Sequence, residues 1–97
     1  MIGNPRQFLD PDPLFTRYDT SAAVLLPVPY EGGVSFGKGA AGAPDSVIEA
    51  SGYLELYDEA LEAEAFRMGI FTAAPPTLPS SEEAVTETVR RAVLEII

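Results

Sequence analysis

Apolar residues run in blocks along this chain, and the blocks predict alternating strands and helices. Ala22–Val28 is almost continuously apolar, the pattern of a short strand covered on both faces, as in a parallel sheet. Pro27 and Pro29 remove donors and end its pairing, so the following loop lies at the strand's C-terminal edge. Open α/β sheets bind ligands at that edge. Glu31–Ala43 holds Gly32, Gly33, Gly37, Gly39 and Gly42, too many for an element interior. Pro44 suits the first turn of a helix, and Asp45 and Glu49 favour its positive end. Val47, Ile48 and Ser51 form one amphipathic run that Gly52 stops.

Tyr53–Glu64 fits two patterns. Leu54, Leu56, Tyr57 and Leu61 match either alternation or a helical stripe, and Ala60, Ala63 and the glutamates favour helix for the second half. Phe66–Ala74 reads as a second strand, followed by a stiff connection through Pro75, Pro76 and Pro79. The last helix spans residues 80–97, with Ser80 and Glu83 as a capping-box pair. Val85, Val89, Ala92, Val93, Ile96 and Ile97 line one face, and Glu87–Arg91 is a favourable i,i+4 pair. Before all of this, residues 1–21 carry Pro5, Pro11 and Pro13 and predict an irregular arm. Its Phe8, Leu14, Phe15 and Tyr18 should dock it onto the rest.

The expected organisation is therefore an arm (1–21) and a β-α-β-α portion of an α/β domain (22–97), half of a doubly wound unit. Two parallel strands alone leave both as edges. The last helix runs to Glu95-Ile96-Ile97 with no glycine or asparagine cap behind it. This leads to the expectation of a fold cut short, whose remaining sheet comes from this chain or a partner.

Composition narrows the chemistry. The 97 residues are 46% hydrophobic, with six basic against fifteen acidic residues and a net charge of −9. That is the composition of a single globular domain, and its charge repels phosphate backbones and anionic membranes. Cysteine is absent, so disulfides and thiolate metal sites are excluded. No signal peptide is recognisable at the start, and no stretch approaches the roughly 18 apolar residues of a bilayer span. A soluble, cytoplasmic protein without nucleic-acid or membrane partners is expected.

Histidine is absent as well, and this decides most candidate sites. Ser35 and Ser51 have no base to form a nucleophilic triad. Gly32 to Lys38 satisfies G-x-x-x-x-G-K after a strand, most of a phosphate-binding loop. Gly39 stands where a hydroxyl should hold magnesium, however, and Gly39, Gly42 and Pro44 delay the helix beyond Lys38. A glycine-rich turn is the better reading, with a small nucleotide-binding module as the alternative. Asp10 and Asp12 lie on the arm, and Asp58, Glu59 and Glu62 could share a helix face. Without a third converging ligand they read as solvated carboxylates. Tyr30, Tyr53 and Tyr57 read as amphipathic packing residues.

Several segments together resemble the agmatinase/arginase (ureohydrolase) family. Val28-Pro29-Tyr30-Glu31-Gly32-Gly33-Val34-Ser35-Phe36 is similar to that family's early strand-to-loop segment. Gly39, Pro44 and Ile48-Glu49-Ala50-Ser51 fall where agmatinase-like proteins carry a glycine-proline turn and an "I-x-E-A-S" helix. Leu54-Glu55-Leu56-Tyr57-Asp58-Glu59 with Leu61 resembles the "L-E-x-Y-D-E-E-L" stretch that follows. Met68–Thr72 looks like the next strand, and Ser80–Ile97 like the helix before the first metal-binding motif. Ala41 and Ala43 depart from the arginine and glycine of many relatives.

The resemblance implies a three-layer α/β/α fold with a parallel sheet, of which only the first β-α-β-α portion is present. It implies a dinuclear manganese centre in the complete enzyme, whose bridging hydroxide attacks a guanidinium carbon to give urea and an amine. It also implies a small guanidino substrate and a homo-oligomer. The family's histidine and aspartate metal motifs have no counterpart in this sequence. No catalytic, cofactor-binding or metal-ligating residue is assigned here, and this chain alone is expected to be inactive and metal-free. A non-catalytic, ureohydrolase-like assembly subunit is a further alternative.

Overall fold

The computed structural model describes residues 1–32 and 39–97. Two strands, β1 (Ala23–Leu25) and β2 (Ile70–Thr72), pair in parallel with Ala23 opposite Ile70 and Leu25 opposite Thr72. Between them lies α1 (Ala43–Ser51), and after them α2 (Glu82–Ile96). The β-α-β-α order expected from the sequence is present, in an α/β unit of two strands and two helices. A full three-layer sandwich needs more sheet than these residues supply.

Both strands are shorter than their apolar runs. β1 stops at Leu25, ahead of Pro27, and its residues are half-buried rather than covered on both faces. The expected strand at Phe66–Ala74 begins instead as a 3-10 turn, Ala65–Met68. Gly69 then turns the chain with φ 88°, a left-handed conformation that interrupts a strand and favours glycine.

Pro44 opens α1 as expected, with Asp45 in its first turn. Gly52 ends it without a left-handed cap (φ −66°). The amides of Gly52, Tyr53 and Leu54 instead reach back to the carbonyls of Glu49, Ala50 and Ser51 at 3.1–3.2 Å, the tightened turns that satisfy helix-end carbonyls. At α2 the expected Ser80/Glu83 capping box is corrected. Ser81 is the N-cap, in extended conformation, and its hydroxyl accepts from Ala84 N at 3.5 Å. The third helical position is thus alanine, which cannot reciprocate. Glu82 and Glu83 still occupy the electropositive first turn. Val85 is buried and Val89, Ala92 and Ile96 half-buried, whereas Val93 and Ile97 of the expected stripe are exposed.

No helix forms in the second half of Tyr53–Glu64. Asp58 and Ala63 exchange backbone hydrogen bonds at 2.8 and 3.2 Å, and the Asp58 carboxylate accepts from Leu61 N at 3.0 Å. These bonds close a tight loop in which Glu62 has φ 50°. Aspartate's side chain offers the backbone this alternative to a helix, and Tyr53, Leu54, Tyr57 and Leu61 are all exposed, so no apolar face rewards one.

The buried core is thin: Ile48 from α1, Phe66, Phe71 and Ala73 around β2, and Val85 from α2, with Ser51 and Thr72 as buried polar members. The arm docks through Phe15 and Tyr18, whereas Leu14 of the expected set is 57% exposed. Phe15 meets Phe66 edge-on at 5.2 Å, and Arg67 lies 5.3 Å from both rings while pairing with Glu64. Tyr18 packs edge-on against Phe71 at 5.3 Å and donates its hydroxyl to Ile96 O at 3.1 Å. Among the described residues, no helix is long and apolar enough to cross a membrane.

Candidate functional site at the C-terminal edge of the sheet

Both strands run toward one edge, where Leu26–Glu31 leaves β1 and Ala73–Pro76 leaves β2. A cavity of about 210 Å³ opens there, with Ile2 from the arm, Leu26, Ala73, Pro75 and the α2 residues Ala92 and Glu95 in its wall. Its walls are largely aliphatic, with the exposed Glu95 at its margin. A second, wider groove of about 380 Å³ runs between Leu25–Val28 and the start of α1, past Ala43, Pro44 and Val47. It is aliphatic throughout and offers shape rather than chemistry.

The described residues on either side of 33–38 meet near this edge. Glu31 accepts a hydrogen bond from Gly39 N, and Tyr30 N donates to Val28 O at 2.8 Å. The Tyr30 hydroxyl is held above the usual phenol range by desolvation first, then by the charge of Glu82 and a hydrogen bond to it. Tyr30 is 36% exposed, so it does not pack in a core as expected. Ala41 sits half-buried in a 3-10 turn, Ala40–Gly42, that leads into α1.

The other sequence candidates are scattered. Of the phosphate-loop pattern only Gly32 is described; Ser35 and Lys38 lie outside the described residues. The helix begins at Ala43, well past the lysine position from which a phosphate-binding helix starts. Asp12 caps the 3-10 turn Pro13–Phe15 through Leu14 N at 2.9 Å, and Asp10 is exposed at φ 47°. Asp58, Glu59 and Glu62 do not share a helix face, because that helix is a closed loop. Tyr53 is 87% exposed and Tyr57 51%, so neither packs.

Ser51 is buried, donates to Ile48 O at 2.5 Å and accepts from Leu9 N at 2.8 Å. It is a clamp between arm and helix. Glu95 at the cavity was hidden in the sequence, where it reads as one more polar position on α2. Its i,i+3 spacing from Ala92 was the one available signal.

A manganese pair needs several converging nitrogen and oxygen donors. The chain has no histidine, and no group of three or more acidic ligands gathers among the described residues. The described residues do not fit such a centre.

Comparison with known proteins gives one informative relative. The chain is 43% identical over 72 residues to a protein named N(1)-aminopropylagmatine ureohydrolase, from Synechocystis sp.. The match covers 73% of this chain and 23% of that protein, so the chain spans about a quarter of its relative's length. The resemblance to the ureohydrolase family is thereby borne out. No family model matches the chain, and no solved structure matches it.

Proposed function

We propose that this chain builds the first strand–helix–strand portion of a ureohydrolase-type enzyme that splits a guanidino compound into urea and an amine. The observation that carries this reading is the 43% identity to a ureohydrolase. The parallel β1-α1-β2 unit supports it, with its loops gathered at the edge where such sheets bind ligands. The relative is named for aminopropylagmatine, a guanidine with an amine-rich tail, and the same substrate class is proposed here. A net charge of −9 favours cationic molecules of that kind over anionic ones. Manganese, a homo-oligomeric assembly and a cytoplasmic setting belong to the proposal too, with the metal ligands supplied by residues outside those described.

Within such an enzyme this segment positions; it does not cleave. Its contribution is the Glu31–Gly39 contact at the sheet edge and the aliphatic cavity beside Glu95. The nucleotide-binding alternative is disfavoured by the late start of α1.

A segment exchange tests the reading. The stretch of the Synechocystis relative that matches this chain is replaced by the present sequence, and urea release from aminopropylagmatine and agmatine is measured. Retained, manganese-dependent urea production is expected. A folded, manganese-loaded chimera that releases no urea from either would overturn it.

A further inference from the structure

A two-stranded parallel sheet has two edges, and the described residues close one of them. Ala73 donates to Leu25 O at 2.9 Å on the inner side of β2, so the neighbouring Thr72 N–H and C=O face outward. Both are taken. Gln7 Oε1 accepts from Thr72 N at 2.7 Å, and Gln7 Nε2 donates to Thr72 O at 2.8 Å. A primary amide carries the same donor and acceptor as a peptide group, and Gln7 presents them as an adjoining strand would.

The chain on either side holds that amide in place. Gln7 Nε2 also donates to Asn4 O at 2.8 Å, and Asn4 N donates to Thr72 O at 2.8 Å. Gly3 bridges Ala73 in antiparallel fashion, and Ala74 N donates to Ile2 O at 3.0 Å. Phe8 N donates to the Thr72 hydroxyl at 2.9 Å, and Leu9 N reaches Ser51. Thr72 is 0% exposed as a result.

We infer that Gln7 is a surrogate strand residue: the arm closes the outer edge of β2 and makes it a terminal strand. Any further strand then joins on the other side, along β1 at Val24. The arm is a strap that sets the direction of sheet growth and blocks pairing through β2. This holds whether or not the parent protein hydrolyses a guanidine.

Amide hydrogen exchange on the full 97-residue chain tests it, comparing wild type with Gln7→Ala and Gln7→Asn. The asparagine keeps the amide but is one methylene too short to reach. Exchange at Thr72 is expected to quicken about tenfold in both variants, while Ala73, bonded on the inner side, changes less than about twofold. A loss of folding would move both amides together. An unprotected Thr72 in the wild type, or equal acceleration at Thr72 and Ala73 in the asparagine variant, would overturn the inference.

Discussion

Gly69 and Ser21 approach so closely that no side chain fits between them: a Cβ on Gly69 would lie 2.7 Å from Ser21 Cα. The same glycine has φ 88°, and its carbonyl accepts from Ala22 N at 3.0 Å where the two strands begin to pair. Gly69→Ala is therefore expected to destabilise the chain by about 2–3 kcal/mol through backbone strain and overlap. The shift of the urea midpoint relative to wild type measures it. An alanine variant of wild-type stability would mean that the strand entry is looser than this contact.

Ser51 invites confusion with a nucleophile, and its replacement separates the two roles. Ser51→Ala leaves Leu9 N without its acceptor in a part-buried setting, at a cost of about 1–2 kcal/mol. In the exchanged-segment enzyme, urea release per folded molecule should be unchanged. A selective loss of turnover would assign Ser51 a role in chemistry.

Acid should loosen α2 through Glu87. Hydrogen bonds from Arg90, then Arg91, lower its pKa to about 2 from 4.5. A carboxylate depressed by folding stabilises the fold above its unfolded value and loses that contribution as pH falls through the folded one. The window therefore lies between about 4.5 and about 2. Far-ultraviolet circular dichroism of wild type and Glu87→Gln should diverge above this window and converge below it. The pair is exposed, with Arg90 Nη2 at 2.6 Å and Arg91 Nε at 3.0 Å, so the difference is expected to be small and to shrink with added salt.

The isolated chain is expected to bind manganese no more tightly than scattered surface carboxylates do, and to release no urea from agmatine. The reason is the donor set: histidine is absent, and the described acidic residues do not converge. Calorimetry and a urea assay check both. Micromolar binding together with urea production would refute the statement.

The thin core bears on solution behaviour. Ile2, Leu14, Val47, Leu54, Leu61, Leu94 and Ile97 are exposed, and the radius of gyration is 15.0 Å, against about 12–13 Å for a compact chain of this length. A hydrophobic dye should bind the isolated chain strongly, and thermal unfolding should be broad or end in aggregation. A sharp transition from a monodisperse monomer would contradict this and mark a self-sufficient domain.

The order of elements was legible in the sequence because local chemistry wrote it. Pro44 starts a helix, Gly52 stops it, and the two apolar runs flank it. Lengths were less legible, since hydrophobic runs record burial and not pairing: Leu26 and Phe66 are apolar yet lie outside the strands. Asp58 turned an expected helix into a loop by capping its own turn. Ser81 took the cap from Ser80, a choice between adjacent serines that no spacing rule separates. Gln7 left no local signal at all, because its partner is Thr72 at the far end of the fold. At the site, the sheet edge followed from Pro27, whereas the Glu31–Gly39 contact and Glu95 needed the structure to be seen.

The closed loop from Asp58 to Ala63 has a practical side. Its two ends are held together by a reciprocal pair of backbone bonds, with Glu59, Ala60, Leu61 and Glu62 as an exposed tip beyond the clasp. Lengthening such a tip adds little closure entropy, and the clasp keeps the change from reaching the sheet. A peptide tag or a reporter domain spliced in at the exposed Ala60 would give the protein a handle.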